Sequence, residues 1–277
     1  MSEVFLPSPA TLAEQIHERL PQFGGVDWVR ETGSTNADLL EQARLQVGGR
    51  GLRPWLRGAH LQNTGRGRAG RNWQNQPGQA LMFSCAFDTT LAAAELPALS
   101  PLAGLAAVEA LRSLAGPGAD GLRVKWPNDV MFGKGKLSGV LVETTRNPVD
   151  RSAGHVVVIG MGTNLVDADL LSRELDRPIA DWTGVGAPAL EIADIVAAVA
   201  RAWQDAIVQL QAFGFQVFID RFARVDALAG RTVRVLDRGE VLQTGTAAGT
   251  DRHGRLLVKT GTRVTPVSVG EISVRAT

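Results

Sequence analysis

The sequence predicts an α/β protein with a small β module at its C-terminal end, and three observations lead there. Apolar residues recur at helical spacing over residues 12–20 and 191–213, and an alanine- and leucine-rich helix is predicted over 101–115. Apolar and β-branched runs of strand length lie between these stretches. Beyond about residue 229 the pattern turns entirely to short strands separated by turn residues. A chain of 277 residues suits one large domain, or a medium domain with a small companion. With 44% hydrophobic and 21% charged residues, it has the composition of a globular protein with a substantial core.

Each element has its own local reason. Ser8 and Pro9 supply a cap and a first-turn proline for a helix whose apolar positions are Leu12, Ile16 and Leu20, and Phe23-Gly24-Gly25 ends it. Residues 26–31 read as a short strand. Gly33-Ser34-Thr35-Asn36 then opens a helix running to about Leu45, with Thr35 and Asp38 spaced as a capping box. The glycine- and arginine-rich stretch 48–70 is given no regular element. Residues 80–87 read as a strand apolar on both faces, and Ser100-Pro101 caps the long helix that ends near Ala115.

Strands follow at 122–126, 137–144 and 156–160, with Pro127-Asn128-Asp129 and Gly133-Lys134-Gly135-Lys136 as turns between the first two. Ile192, Ile195, Val199, Trp203, Ile207 and Leu210 mark a long helix, and a second helical piece covers 217–228. Strands are then expected at 232–236, 241–247, 256–259, 264–269 and 272–274, with Asp237-Arg238-Gly239 and Asp251-Arg252-His253-Gly254 as turns. The change of period divides the chain into residues 1–228 and a β-barrel-like module, 229–277.

Composition excludes several classes. A net charge of +1 is far from the basic excess of a protein that coats nucleic acid, although local basic loops remain compatible with it. The single cysteine, Cys85, cannot form an internal disulfide, and His17, His60, His155 and His253 lack ligand spacing, so no structural zinc is expected. The N-terminus lacks a basic start followed by an apolar run, and no stretch approaches the roughly 20 apolar residues of a membrane span. A cytoplasmic location is therefore expected.

Four stretches could carry chemistry. Gly65-Arg66-Gly67-Arg68-Ala69-Gly70-Arg71 sets cations on a backbone free to approach a ligand, which suits phosphate or carboxylate. A solvated basic loop and an RNA-binding arginine-glycine element are its rival readings. Its formal match to G-x-G-x-x-G is spurious, because neither the flanking strand and helix nor the later acidic residue is present. In Arg123-Val124-Lys125-Trp126-Pro127-Asn128-Asp129, Lys125 alternates away from Val124 and Trp126, so a solvated lysine is the plain alternative. Ser34, Thr35 and Asn36 are explained by capping alone or by a polar ligand at a helix start. Gly160-Met161-Gly162-Thr163-Asn164 is a glycine-spaced strand end, compatible with a turn or with close backbone approach to a ligand. Glu143 is a carboxylate in an apolar strand, placed most simply in solvent. Residue chemistry alone stops at an anion-binding α/β protein.

In order along the chain, these stretches resemble the biotin–protein ligase family. The residues that carry the resemblance are Gly33–Asn36, Gln62 through Arg71 with Trp73, Lys125-Trp126-Pro127-Asn128-Asp129, residues 136–143 from Lys136 to Glu143, 160–164, and Gly270-Glu271-Ile272-Ser273. It covers roughly residues 26 to 275. The resemblance implies an α+β fold, a mixed sheet flanked by helices as in class II synthetases and lipoate ligases, with an SH3-like C-terminal barrel. It implies attack of biotin's carboxylate on the α-phosphate of Mg-ATP to give biotinyl-5′-adenylate, then transfer of biotin to an acceptor lysine. Catalysis would rest on positioning and charge stabilisation.

Residue by residue, Ser34, Thr35, Asn36 and Gln62 are expected at biotin's polar ring. Arg66, Gly67 and Arg68 would close over carboxylate and phosphate as a mobile loop orders, with Arg71 beside them. Trp73 would lie near adenine, with Asn128 also on the nucleotide. Lys125 and Arg68 would serve catalysis, Lys125 at the α-phosphate. Gly162 and Asn164 would form a second flexible segment over the adenylate. Magnesium would enter with ATP, bound through phosphate oxygens. The implied partner is the biotin carboxyl carrier domain of acetyl-CoA carboxylase or a similar carboxylase, and the implied state is a monomer or weak homodimer. His60 stands where the family often has an acidic residue. Only about 25 residues precede the first strand, fewer than a winged helix needs, so no DNA binding and no membrane association are expected. The alternatives are a lipoate or octanoate ligase of the same fold and a nucleic-acid-binding protein using the arginine-glycine loop.

Overall fold

The computed structural model describes residues 6–45, 53–73, 78–147, 154–186, 191–237, 239–268 and 273–276. The elements, in order, are α1 (Pro9–Arg19), β1 (Gly25–Thr32), α2 (Thr35–Leu45), β2 (Trp55–Gln62), β3 (Ala80–Thr89), α3 (Leu99–Ala115), β4 (Leu122–Lys125), β5 (Asp129–Phe132), β6 (Gly135–Arg146) and β7 (His155–Asn164). They continue with α4 (Ala168–Glu174), α5 (Ile192–Phe213), α6 (Ile219–Val225), β8 (Thr232–Asp237), β9 (Glu240–Thr250), β10 (Leu256–Thr260), β11 (Arg263–Val267) and β12 (Ser273–Ala276). Part of the anticipated arginine-glycine stretch, the turn position 238 and Gly270-Glu271-Ile272 lie outside the described residues.

The first sheet has seven strands in the order β1-β2-β3-β7-β6-β5-β4. β1 and β2 run parallel and the other neighbours antiparallel, which makes the sheet mixed. Helices cover it unequally. On one face α1, α3 and α5 bury Leu81, Phe83, Cys85 and Phe87 of β3 with Val157, Ile159 and Met161 of β7. Phe83 stacks on Trp203 of α5 with ring centroids 5.4 Å apart. The other face carries a smaller cluster, in which Leu39, Leu40 and Ala43 of α2 pack on Trp55, Ala86, Val156 and Val158. Both faces of β3 are therefore covered, which is why its sequence does not alternate with polar residues.

Along that second face, β7 changes from Val156 and Val158 to Gly160 and Gly162, and β6 sets Gly139 opposite Gly162. Side chains vanish from the sheet surface there, and a hollow opens beside the first turn of α2. A second sheet of five strands, in the order β11-β10-β9-β8-β12, forms the C-terminal module. Val233, Val235, Leu256 and Val258 share the main core with the first sheet, and Trp126 Nε1 donates to the carbonyl of Gly254 at 2.9 Å.

Several local expectations are corrected. β2 lies inside the stretch given no element: Arg57 and Gly58 obscured a strand whose Trp55, Leu56 and Ala59 are buried. β5 starts on Asp129, taken as turn, and covers residues 130–132, which were given no element, and α4 was not foreseen. The proposed capping box does not form, because Asp38 accepts from Thr32 Oγ1 at 2.8 Å and from Arg57 Nε at 3.0 Å. A 3-10 turn at Leu96–Ala98 leads into α3, so Ser100 lies within the helix rather than at its cap. One helical stretch, Leu96–Ala115, is after all long and apolar enough to cross a membrane, and 72% of it is buried inside the protein, as for a core helix.

Candidate active site

The hollow is a cavity of about 1030 Å³, walled by the start of α2, the end of β2, the arginine-glycine loop, and strands β4 to β7. The seam with the C-terminal module closes one side through Asp226, Arg231 and Val274.

One wall is polar. Thr35 N donates to Gln62 Oε1 at 2.8 Å, across from β2. Thr35 Oγ1 lies 2.7 Å from Ser84 Oγ, and Ser84 Oγ donates to Asn36 Oδ1 at 2.6 Å. Asn36 Nδ2 in turn donates to Glu143 Oε2 at 2.9 Å and to the Leu141 carbonyl at 3.3 Å. Thr35, Asn36 and Ser84 are all buried, so these bonds offset the cost of removing the groups from water. Gly160 makes room for them: a Cβ there would stand 2.1 Å from Asn36 Oδ1. Ser34 completes the wall, with its Oγ 3.5 Å from the Ala37 amide near the helix start.

The opposite wall is cationic. The arginine-glycine stretch folds back on itself as a closed loop: Gly67 N donates to Arg71 O at 2.6 Å, Trp73 N donates to Gly65 O at 2.8 Å, and Gly70 takes the left-handed φ of 70° that the reversal needs. Arg66 Nη2 reaches Glu143 Oε2 at 3.1 Å. Arg68 Nη1 donates to Asn128 Oδ1 at 3.3 Å, and burial pulls its guanidinium below the ordinary arginine range, with Asp129 opposing and Arg71 adding to the shift. Lys125 lines the cavity from β4, while Val124 at 0% and Trp126 at 1% exposure face the core. Lys125 thus alternates away from the core, as its spacing implied, and the side it takes borders the cavity. Trp73 lies across the glycine floor, where a Cβ on Gly162 would meet its ring at 2.5 Å.

The structure thus gathers Ser34, Thr35, Asn36, Gln62, Arg66, Gly67, Arg68, Arg71, Trp73, Lys125, Asn128 and Gly162 around one cavity. Three expectations change. Asn164 is not in the lining; its Nδ2 is spent on the carbonyls of Lys136 and Ala180, both at 3.1 Å. Gly162 and Asn164 belong to β7, a central strand paired on both sides, rather than to a flexible cover. Glu143 is held by Asn36 and Arg66 behind the polar wall, outside the cavity lining and with its side chain 26% exposed, rather than standing free in solvent. His60 lies away from the lining, half-buried against Trp28 with ring centroids 6.3 Å apart. Burial lowers its pKa, and Arg30 adds to that.

Ser84 and the pair Lys136–Asp129 were missed. Lys136 Nζ lies 2.5 Å from Asp129 Oδ1 and 5.6 Å from the Trp73 ring centroid. Ser84 carried one signal in the sequence, as the single hydroxyl in an otherwise apolar strand core from Leu81 to Phe87. Asp226, 3% exposed at the module seam, had none.

The fold and site define a class: an α+β ligand-binding enzyme domain that sets a polar pocket beside a cationic one and carries a small β module. Residues 52–164 match the biotin/lipoate A/B protein ligase family, and residues 229–275 match the biotin protein ligase C terminal domain. The bifunctional ligase/repressor BirA of Escherichia coli is 30% identical over 98% of this chain and 81% of its own length. The biotin–[acetyl-CoA-carboxylase] ligase of Mycobacterium tuberculosis is 32% identical over 89% of this chain and 88% of its own. A biotin protein ligase from Aquifex aeolicus, solved with biotin and ATP, shares the fold with a TM-score of 0.71 at 24% identity, over 90% of this chain and 98% of that one. The chain belongs to the biotin–protein ligase family.

Proposed function

We propose that this protein activates biotin with ATP to biotinyl-5′-adenylate and transfers biotin to a lysine of an acceptor protein. The observation that carries the reading is the union, in one cavity, of a buried polar wall with a cluster of arginine and lysine side chains. The polar wall suits a ring rich in hydrogen-bonding groups. Arg66, Arg68 and Lys125 suit the carboxylate and phosphates that must meet for adenylation, whose negative charge repels them in water.

In this reading the wall of Ser34, Thr35 and Gln62 fixes biotin's ring. The valeryl chain runs over the glycine floor, bringing the carboxylate between Arg66 and Lys125. Lys125 stabilises charge that grows on the α-phosphate as pyrophosphate leaves. Arg68, held toward the cavity by Asn128, screens the same charge, and Trp73 offers an apolar face to adenine. No protein nucleophile is needed: alignment and electrostatics account for the step. Magnesium would arrive on the phosphate oxygens of ATP and neutralise their charge. Asp129 (already held by Lys136), Asp176 and the buried Asp226 are the carboxylates of the cavity lining.

In the second step an acceptor amine attacks the mixed anhydride and AMP leaves. The acceptor proposed is a biotin carboxyl carrier domain of a carboxylase such as acetyl-CoA carboxylase. Residues 1–228 are proposed as the catalytic domain and 229–277 as an SH3-like module that closes the seam side of the cavity, in a cytoplasmic protein.

The test is ATP–pyrophosphate exchange by purified protein with biotin, lipoate, octanoate or no acid. Exchange that requires biotin supports the reading. Exchange driven by lipoate or octanoate moves the protein to the sister activity, and no exchange with any acid overturns it.

A further inference from the structure

The protons in the buried polar wall can be assigned one by one. Asn36 Nδ2 lies against two acceptors, Glu143 Oε2 at 2.9 Å and the Leu141 carbonyl at 3.3 Å, so the amide orientation is forced and both its hydrogens are spent. Its Oδ1 therefore faces Ser84 Oγ at 2.6 Å and takes that hydroxyl's only proton. Ser84 can then only accept from Thr35 Oγ1, 2.7 Å away. The competing acceptor for the Thr35 proton, Gln62 Oε1, is more distant at 3.3 Å and is already served by the Thr35 amide at 2.8 Å. At the cavity wall Thr35 Oγ1 is left with lone pairs and no proton to offer, and so is Ser84 Oγ.

Resting on the biotin reading above, we infer that Ser84 is a positioning residue that makes Thr35 a hydrogen-bond acceptor, so that the wall selects a ring bearing N–H donors. A cyclic urea supplies such donors. A dithiolane ring or an alkyl chain supplies none and leaves buried acceptors unpaired, a mismatch that costs far more than a missing methylene. Glu143 anchors the far end of the relay by fixing the Asn36 amide, and Gly160 keeps a side chain out of it.

The test measures biotin-dependent ATP–pyrophosphate exchange by wild type, Ser84→Ala and Ser84→Cys. Each is run with biotin and with biotin methylated on one or the other ureido nitrogen. In the wild type, methylation at one of the two positions should raise KM by about 100-fold, as expected when a site built for a hydrogen bond meets an analogue lacking it. Ser84→Ala should raise KM for biotin by about tenfold or more, with KM for ATP and kcat within about twofold, and should shrink the N-methyl penalty to under about tenfold.

Ser84→Cys keeps a side chain no smaller than serine but a weak acceptor, so it should shrink the penalty without opening space; this variant decides the matter if Ser84→Ala fails to fold. Equal loss of biotin and N-methyl biotin in the variants, or a KM for ATP that rises in step, overturns the relay. So does a wild-type penalty below about twofold at both nitrogens. Wild-type protein with no biotin-dependent exchange would instead overturn the biotin reading itself, and this inference with it.

Discussion

The indole of Trp126 donates to the carbonyl of Gly254 at 2.9 Å, joining residues 128 positions apart. Trp126 is 1% exposed and follows Lys125 directly, so the bond fastens the end of β4 to the turn between β9 and β10. Trp126→Phe keeps most of the apolar bulk and leaves the Gly254 carbonyl without this donor. A loss of about 1–3 kcal/mol is expected in urea unfolding followed by far-UV circular dichroism. A change below about 0.3 kcal/mol would show that water replaces the bond at no cost.

Lys125 lines the cavity from the strand that this bond holds. Lys125→Ala is expected to lower kcat for biotin-dependent exchange by about 10²-fold or more, the usual loss for one preorganised charge-stabilising group. Its melting temperature should stay near that of the wild type, because the side chain contributes little to the core. Near-normal exchange would remove Lys125 from the reaction.

Glu143 accepts from Asn36 on one side and pairs with Arg66 on the other. Their side chains are 26% and 43% exposed, so the ion pair itself should contribute less than about 1 kcal/mol to stability. Glu143→Ala is nevertheless expected to raise KM for biotin severalfold, since it frees the Asn36 amide to turn and releases Arg66 from its place over the cavity. Titration calorimetry with biotin and thermal melting, run together, separate the two effects.

Gly160 is a steric requirement. Its Cβ would stand 2.1 Å from Asn36 Oδ1 and 2.8 Å from Ser84 Oγ, both held by hydrogen bonds. Gly160→Ala should raise KM for biotin by at least about tenfold through displacement of that wall, with the far-UV spectrum unchanged. Gly70→Ala, with open space around the new Cβ but a φ of 70°, should instead act through backbone strain in the loop. Measured KM values for biotin and ATP distinguish the two origins.

Asp226 gives a pH dependence. Burial raises its pKa above the ordinary aspartate value, against the opposing effects of the Leu228 amide and Arg123. The folded state therefore holds this proton more tightly than the unfolded chain. Its contribution favours folding at low pH and is lost as pH rises from the ordinary aspartate value through the raised one. Asp226→Asn keeps an acceptor for the Leu228 amide and carries no charge to desolvate. Its melting temperature relative to wild type should therefore be higher at pH 7.5 than at pH 4. A constant difference across that range would show that the burial cost is relieved in some other way.

The sequence by itself determined what local periodicity and residue chemistry can determine. Leu12, Ile16 and Leu20 marked α1, the apolar run from Leu81 to Phe87 marked a strand covered on both faces, and the change of period near residue 229 marked the second sheet. The arginine-glycine loop suited an anionic ligand and the Ser34-Thr35-Asn36 helix start was compatible with a polar one because of the groups they carry, whereas Lys125 drew its role only from the resemblance.

Tertiary structure decided which of these stretches meet. Whether Lys125 faced solvent or ligand depended on what covered the sheet. Glu143 was a surface carboxylate until α2 and the loop were folded over it. Ser84 drew no notice in its strand, because a hydroxyl becomes a relay only when Thr35 and Asn36, nearly fifty residues away in sequence, are brought within 2.7 Å and 2.6 Å of it. Hydrogen bonds of that kind depend on distances between side chains remote in sequence, and only packing of the two sheet faces fixes those distances.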